Sequence, residues 1–327
     1  MPIDRDPQPE TELLVKIDPK PGPLAYRLVC RFGWNDETTR SFWSRRFEVL
    51  ELSGGRDQAF RIPDLGEKAL ELKSIKLGAL GVVEGLEQFK NLEHLYVDAW
   101  PKNGLDLRIF PRLRRLHIHQ VKPAEKQLSG LPDLIEIGIA GYTGLDGSLF
   151  SSMKHLQSLT LVQGRLRSLE GLEDHPKLKS MELSLVRNLV DLRALDRLSR
   201  LEHLHLQQLP KATGMIRIRT FPKMRTFYVA GSHKELRVDM AGLRELKHLQ
   251  KLWVMAGKEH FGFEDVFLLP HLTLAGFTSP TGTPGDDELR SLAGRHGRQL
   301  TKIHRARSKG VDVIQLNFHP YEAGEPG

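Results

Sequence analysis

A single cysteine, Cys30, stands in 327 residues, so no disulfide can form within the chain and a small secreted scaffold stapled by cystines is excluded. Long apolar runs are missing as well: no stretch approaches the ~18 uninterrupted apolar residues that a membrane-spanning helix requires. The opening MPIDRDPQPETELL puts prolines and acids where a secretion signal needs a basic start and an apolar core. Together these absences lead to the expectation of a cytoplasmic protein with no membrane partner. A phosphate-cradling glycine loop is lacking, and GLDGSLF around Ser148 does not have the nucleophile-elbow pattern. Charge of neither sign dominates: 48 Lys and Arg against 41 Asp and Glu leave a formal +7, a mild bias toward an acidic partner or a polyanion.

What the sequence does have is a period. The pattern apolar-x-x-apolar-x-apolar recurs as LKSIKL from Leu72, LEHLYV from Leu92, LRRLHI from Leu113, LIEIGI from Leu134 and LQSLTL from Leu156. It continues as LKSMEL from Leu178, LEHLHL from Leu201, MRTFYV from Met224, LQKLWV from Leu249 and a weakened LTLAGF from Leu272. Successive starts lie 20, 21, 21, 22, 22, 23, 23, 25 and 23 residues apart. The alternation within each copy reads as a β-strand with its leucines on one face. Between the strands, FPRL, LPDL, HPKL, FPKM and LPHL place Pro111, Pro132, Pro176, Pro222 and Pro270 two residues before the first apolar position. Proline there ends the return segment, since it has no N–H to continue a helix and holds its predecessor extended. Stretches such as VEGLEQFKNL and LRSLEGLEDHPKL read as short helical turns.

This pattern resembles the leucine-rich repeat family over roughly residues 47 to 305, with FEVLEL from Phe47 as a degenerate first strand. The resemblance implies an α/β fold, an irregular solenoid of bacterial type with a concave parallel β-sheet and short helical or irregular convex turns. One departure is plain. Three residues past the last strand leucine, where the family carries an Asn that bonds the loop backbone, this chain has Leu80, Trp100, Val121, Tyr142, Gly164, Val186, Leu209, Ser232 and Gly257. Its loops are therefore expected to satisfy their backbone groups with water.

Outside the repeats, residues 1–10 are expected to be disordered, and ELLVKID and PLAYRLVCRFGW to form a β-rich N-terminal cap over 11–46. The solenoid then runs over 47–282 and a C-terminal cap over 283–318, with 319–327 a flexible tail. In that cap, TPGDDELRSLAGRHG predicts a helix with Thr283 as N-cap, Pro284 at its first position, Leu289, Leu292 and Ala293 on one face, and Gly297 as stop. The strand-like VDVIQLNF follows.

The third, fifth and seventh positions of each strand point away from the leucines and form the surface that a partner reads. The candidate partner-binding residues are His94, Tyr96, Asp98, Arg115, His117, His119, Glu182, His203, His205, Tyr228, Lys251 and Trp253. The middle rungs are small (Gly138, Ala140, Ser158, Thr160) and the flanking ones large, so a partner is expected to press into a low centre while Tyr96, Tyr228 and Trp253 grip its sides. A metal is a narrower alternative, because His117 and His119 lie i, i+2 on one strand with Asp98 expected beside them. Two basic runs, residues 211–234 and 295–309, each hold six Lys or Arg and no acid, which offers a polyanion reading. Cys30, in alternating strand-like surroundings, reads as a buried thiol. Some bacterial leucine-rich repeat effectors attach a ubiquitin-ligase domain with a catalytic cysteine, but no cysteine follows the repeats here.

The expectation is a non-enzymatic protein-binding scaffold that needs no cofactor and no resident metal. By fold-level similarity to ribonuclease inhibitors, its partner would be a toxic enzyme and the chain an inhibitor or immunity-type antidote. A nucleic-acid binder and an effector or structural scaffold are the alternatives.

Overall fold

The computed structural model describes residues 27–31, 33–44, 46–119, 125–173, 175–231, 235–255, 263–278, 284–308 and 311–320. The chain divides into two compact units, residues 1–140 and 141–327.

The first unit contains β1 (Arg27–Cys30), α1 (Asp36–Ser44), β2 (Val49–Leu52), β3 (Phe60–Arg61), β4 (Ser74–Leu77), β5 (Val83–Glu84), β6 (His94–Val97), β7 (Arg115–His119), the four-residue α2 (Glu125–Leu128) and the start of β8 (Glu136–Tyr142). β1, β2, β4, β6, β7 and β8 lie side by side in that order, every neighbouring pair parallel. The register aligns the repeats in phase. Leu50, Ile75, Leu95, Leu116 and Ile137 form one row across the strands, and each is 0 % exposed. Leu52, Leu77, Val97, Ile118 and Ile139 form a second buried row. Two such side chains per repeat, each worth about 1.5–3 kcal/mol on full burial, are what a parallel ladder needs to be held shut. The short pair β3–β5 makes a separate parallel ladder on the return side.

The second unit contains β9 (Ser158–Gly164), β10 (Ser180–Ser184), β11 (His203–Gln207), β12 (Gly214–Arg217), β13 (Thr226–Ala230), β14 (Leu236–Asp239), β15 (Lys251–Met255), β16 (Leu274–Thr278), α3 (Asp286–Arg295), β17 (Leu300–Ser308) and β18 (Val311–Phe318). Its main sheet runs β9-β10-β11-β13-β15-β16-β18-β17, parallel as far as β16. Leu159, Met181, Leu204, Phe227, Leu252 and Ala275 make the first buried row, and Leu161, Leu183, Leu206, Val229, Val254 and Phe277 the second. β18 then joins β16 antiparallel and β17 joins β18 antiparallel. β12 and β14 pair on the return side.

The prolines have a more specific role than ending a segment. Leu113 N donates to Phe110 O at 3.1 Å in the first unit, and Met224 N to Phe221 O at 3.0 Å in the second. Pro111 and Pro222 thus occupy the second place of a tight turn, where a φ fixed near −65° costs nothing, and the following residue enters the strand. The Phe that opens each turn is buried beneath it.

Side chains of the protein itself bond many of the loop backbone groups. In the first unit Asp64 and Asp106 accept from the backbone N–H two residues on, Gly66 at 2.9 Å and Arg108 at 3.0 Å. Side-chain amides bridge successive repeats there: Gln88 accepts from Leu65 N at 2.9 Å and Gln127 from Leu107 N at 2.7 Å. Asn103 both accepts from Val83 N and donates to Val83 O. In the second unit Asp146, Asp191 and Asp239 make the same two-residue Asx turn to Ser148, Arg193 and Ala241. The work of an asparagine ladder is divided among these side chains.

The ends of the described chain differ from the sequence reading in detail. Within the stretch read as a β-rich cap, β1 is followed by a nine-residue helix, α1, whose first turn is capped by Asn35 Oδ1 accepting from Thr38 N at 2.8 Å. Phe42 of α1 is buried against Phe47, ring centroids 6.1 Å apart. β1 itself extends the parallel sheet beyond β2, so FEVLEL is preceded by another strand. At the other end the N-cap of α3 is Gly285; Thr283 lies outside the described residues and Pro284 stands just before the cap, not at the first helical position. Leu289, Leu292 and Ala293 are the buried face, as expected, and Gly297, at φ +65°, ends the helix. Arg298 N donates back to Ala293 O at 2.9 Å, closing a Schellman-type cap. β17 was not anticipated. The segments 1–10 and 321–327 also lie outside the described residues. Among the described residues no helix is long and apolar enough to cross a membrane.

Candidate partner-binding face

In each unit the leucine rows face inward, and the alternate positions form the opposite face of the sheet. On the first unit that face begins with a chain of ion pairs running across the strands. Arg27 Nη1 lies 3.0 Å from Glu51, Glu51 is 3.3 Å from Lys76 Nζ, and Lys76 is 3.7 Å from Asp98. Beside it, Tyr96 and His117 stack with centroids 4.7 Å apart and planes 7° from parallel. His117 Nε2 donates to Glu136 at 2.9 Å, and Arg115 approaches the same carboxylate at 3.4 Å. The bond from His117, followed by the charges of His117 and Arg115, holds the Glu136 carboxyl below its ordinary range. Next along this row comes Gly138, and it has to be glycine. A Cβ there would overlap His117 Nδ1 and lie 3.0 Å from Cε1, so the imidazole occupies the space a side chain would fill. His94 is half-buried, and burial, with Arg115 adding to it, lowers its pKa. His119 is exposed at the strand end.

The second unit repeats the device on a longer run. His205 and Tyr228 stack at 4.1 Å and 13°, and Tyr228 and Trp253 at 6.1 Å and 10°. The three occupy matching register positions on β11, β13 and β15, so Tyr228 has a ring on each side. The row again closes on a glycine: a Cβ on Gly276 would overlap Trp253 Cε3 and Cζ3 and lie 2.8 Å from Cδ2. His205 is also 3.3 Å from Gln207 Oε1. Burial raises the Tyr228 phenol and lowers the His203 imidazole. Glu182 is half-buried, and Lys251 is exposed at the start of β15.

Of the residues singled out in the sequence, Tyr96, His117 and Arg115 are thus brought together in the first unit, and His205, Tyr228 and Trp253 in the second. Asp98 turns to Lys76 instead of to the histidines. The His117–His119–Asp98 metal set is not assembled, because His117 is engaged by Tyr96 and Glu136; among the described residues no group of three His, Cys, Asp or Glu is placed to hold a metal. The expected low centre is not a hollow at Gly138, since His117 covers it. Sequence reasoning counted Gly138 on the face only as a small middle rung, gave the outward Glu136 no role beside His117, and left out Gly276. The signal for the two glycines is the fifth position of consecutive copies, where Tyr96, His117 and Gly138 fall in line, as do His205, Tyr228, Trp253 and Gly276.

The basic runs are less cationic than they read. Arg298 is buried and spends its guanidinium on the carbonyls of Leu269, Pro270 and Leu272, while lying 4.9 Å over the Phe318 ring. Arg305 pairs with Asp286 and Arg307 with Asp312. In the earlier run Arg217 pairs with Asp196 and Arg225 with Glu202; Lys234 and Lys309 lie outside the described residues. The second unit also has a surface concavity of 540 Å³ on its return side, lined by Val190, Asp191, Arg193, Met215 and Arg217 among others. Its ionic groups neutralise one another, Arg193 on Asp191 at 2.6 Å and Arg217 on Asp196 at 3.3 Å.

No protein-family model and no curated protein matches the sequence. Among solved structures the chain is similar to an internalin from Listeria monocytogenes, at 14% identity and a TM-score of 0.46, over 76% of this chain and 85% of that one. It is similar to the leucine-rich repeat ectodomain of a plant membrane receptor kinase from Arabidopsis thaliana at 15% identity and a TM-score of 0.40, over 77% of this chain but 32% of the ectodomain. It is also similar to the protein of a TLR13–ssRNA13 complex, at 14% identity and a TM-score of 0.38, over 76% of this chain and 46% of that one. What decides the architecture is the chain itself: parallel strands at a spacing near 22 residues, in phase, with two buried leucine rows per unit, make both units runs of leucine-rich repeats.

Proposed function

We propose that this protein is a non-catalytic scaffold that binds another protein through the outward face of its repeat strands. The observation that carries the reading is the pair of ring rows, Tyr96–His117 and His205–Tyr228–Trp253, each fixed by stacking and each closed on a glycine. Ordered side chains lose little conformational freedom when a partner covers them, and aromatic groups supply much of the energy of protein interfaces. Tyr228, with a ring against each face, offers a partner its rim, and the rims of both rows carry phenol, indole and imidazole hydrogen-bonding groups. The formal +7 favours an acidic partner, whose approach would be steered by charge and slowed by salt. In its finer form the reading is of a cytoplasmic inhibitor or immunity-type antidote that covers an acidic toxic enzyme.

The test is a quantitative capture experiment with the full chain immobilised. The variants are His205→Ala with Trp253→Ala on the face and Met215→Ser on the return side, each first shown by circular dichroism to retain the native fold. The reading expects one protein whose enrichment falls about tenfold or more with the face variant, as loss of aromatic anchors implies, and is unchanged with Met215→Ser. A captured species lost equally in both, or nucleic acid as the only species retained, refutes it.

A further inference from the structure

In the second unit the main sheet ends at β17, which has β18 on one side and no strand on the other among the described residues. It is a long edge for so small an element: nine residues, with Thr301, Lys302, His304, Arg305, Ala306 and Arg307 exposed. Arg290 donates to Leu300 O at 2.9 Å and fixes where the strand begins. Beyond that anchor the open edge offers backbone donors and acceptors to any chain that lies along it. Its sequence, LTKIHRARS, contains Lys302, His304, Arg305 and Arg307 and no acid.

Edge cations are commonly a guard against aggregation, but their placement here says more. Lys302 is paired across from Asn317 and His304 from Gln315, so both share the face of those half-buried amides. Arg305 lies opposite Ile314 and Arg307 opposite Asp312 on the other face, where Arg305 Nε reaches Asp286 of α3 at 2.8 Å and Arg307 Nε lies 3.8 Å from Asp312. A ligand resting on one face of the sheet would meet only half of these cations. A strand running along the edge meets all of them, because its own side chains alternate between the two faces. Exposed ion pairs such as those to Asp286 and Asp312 are worth little and yield to a competing carboxylate.

We infer that β17 accepts an extended, acidic segment of a partner protein as an added β-strand. The partner's backbone continues the ladder, and its Asp and Glu side chains settle beside Lys302 and His304 on one face and Arg305 and Arg307 on the other. A second copy of this chain is a poor occupant, since β17 laid against β17 would bring like charges together on both faces. This site is separate from the ring rows and stands or falls without them.

The experiment uses the full chain and a fluorescent nine-residue peptide of Glu, Thr and Val, with Glu in both phases of the strand alternation, followed by anisotropy. Binding is expected. It should weaken about tenfold or more when alternate peptide amides are N-methylated, which removes ladder donors, and by a similar factor in the folded double variant Lys302→Glu, Arg307→Glu. Trp253→Ala should leave it unchanged. The inference is overturned if the peptide does not bind, if the N-methylated peptide or a heparin oligosaccharide binds the site equally well, or if charge reversal has no effect. Lys302→Gln serves as a milder variant should the double reversal fail to fold, and an unchanged affinity there overturns it too.

Discussion

Replacing Gly138 by Ala should destabilise the protein when His117 is present and stabilise it when His117 is absent. The position is ordinary strand backbone, so alanine is conformationally welcome, and on entropy alone it should add about 0.5–1 kcal/mol. Against this, the new methyl would overlap His117 Nδ1 and stand 3.0 Å from Cε1, and the ring must swing aside. In doing so it loses the 2.9 Å bond to Glu136, worth about 0.5–1 kcal/mol for so exposed a pair, and the stack on Tyr96, worth about 0.5–1.5 kcal/mol. The net expectation is a loss of about 1 kcal/mol in the parent and a gain of about 0.5–1 kcal/mol in His117→Ala, a coupling of about 1–2.5 kcal/mol. Urea unfolding of the four proteins of the cycle measures it. The Glu136 carboxyl, followed by NMR, should also climb back toward its ordinary range in Gly138→Ala, since the bond from His117 is the main cause of its depression. If Gly138→Ala shifts stability by the same amount in both backgrounds, the ring does not depend on the glycine and the account of the face is wrong.

Three further outcomes follow from buried groups. Arg298→Ala, which strands the carbonyls of Leu269, Pro270 and Leu272, should cost about 2–4 kcal/mol in urea unfolding, with Arg298→Lys recovering only part; a loss under about 0.5 kcal/mol would contradict the bonding described. Burial pushes the Cys30 thiol up to about 12, so a disulfide reagent at pH 8 should label it only when urea unfolds the chain. Because that group keeps its proton longer in the folded state, its contribution is intact at low pH and is lost as pH rises from the free-thiol range toward about 12, a decline that Cys30→Ala should abolish. Acid acts in the opposite direction: His94 and His203 are lowered by burial and Glu136 by its bond to His117, so the unfolded chain binds more protons. Stability should therefore fall as pH drops below about 6.5 and again through the carboxylate range. His94→Gln should flatten the first of these declines, and an unchanged profile would count against the burial of that ring.

The repeat was legible because its signal is redundant. Each strand announces itself through local alternation, each turn through a proline two places ahead of it, and the period ties the copies together. Legibility failed where a residue's role is decided by a contact far away in sequence or by a motif overlooked beside a stronger one. Asn35 followed by Asp36, Glu37 and Thr38 is a helix start, yet it sits between two stretches that alternate like strands and was absorbed into them. β17 carries charge at its inward positions Arg305 and Arg307 because α3 supplies Asp286 there, so its period-two pattern is hidden. Arg298 looks like one more surface cation in a basic run, and nothing local says that its guanidinium closes three carbonyls from a segment almost thirty residues earlier. The rows Tyr96–His117–Gly138 and His205–Tyr228–Trp253–Gly276 could have been read down the fifth column of the aligned repeats. Which way each side chain points is legible within one copy; what its neighbour one rung over leaves room for is legible only between copies.

The stacking between rungs also bears on which class of partner suits the proposed face. A surface that reads single-stranded nucleic acid needs aromatic faces open for bases to stack on and cations free to follow phosphates. Here Tyr228 is sandwiched between His205 and Trp253, His117 lies against Tyr96, and Lys76 and Arg115 are paired with carboxylates on their own sheet. A base would have to break the stack around Tyr228 to reach a face of that ring. A protein surface asks for nothing of the kind there: side-chain and backbone groups can meet the ring rims by hydrogen bonding and leave the stack intact. The same packing that leaves a side chain no room at Gly138 and Gly276 therefore favours the protein-binding reading proposed above over a nucleic-acid one.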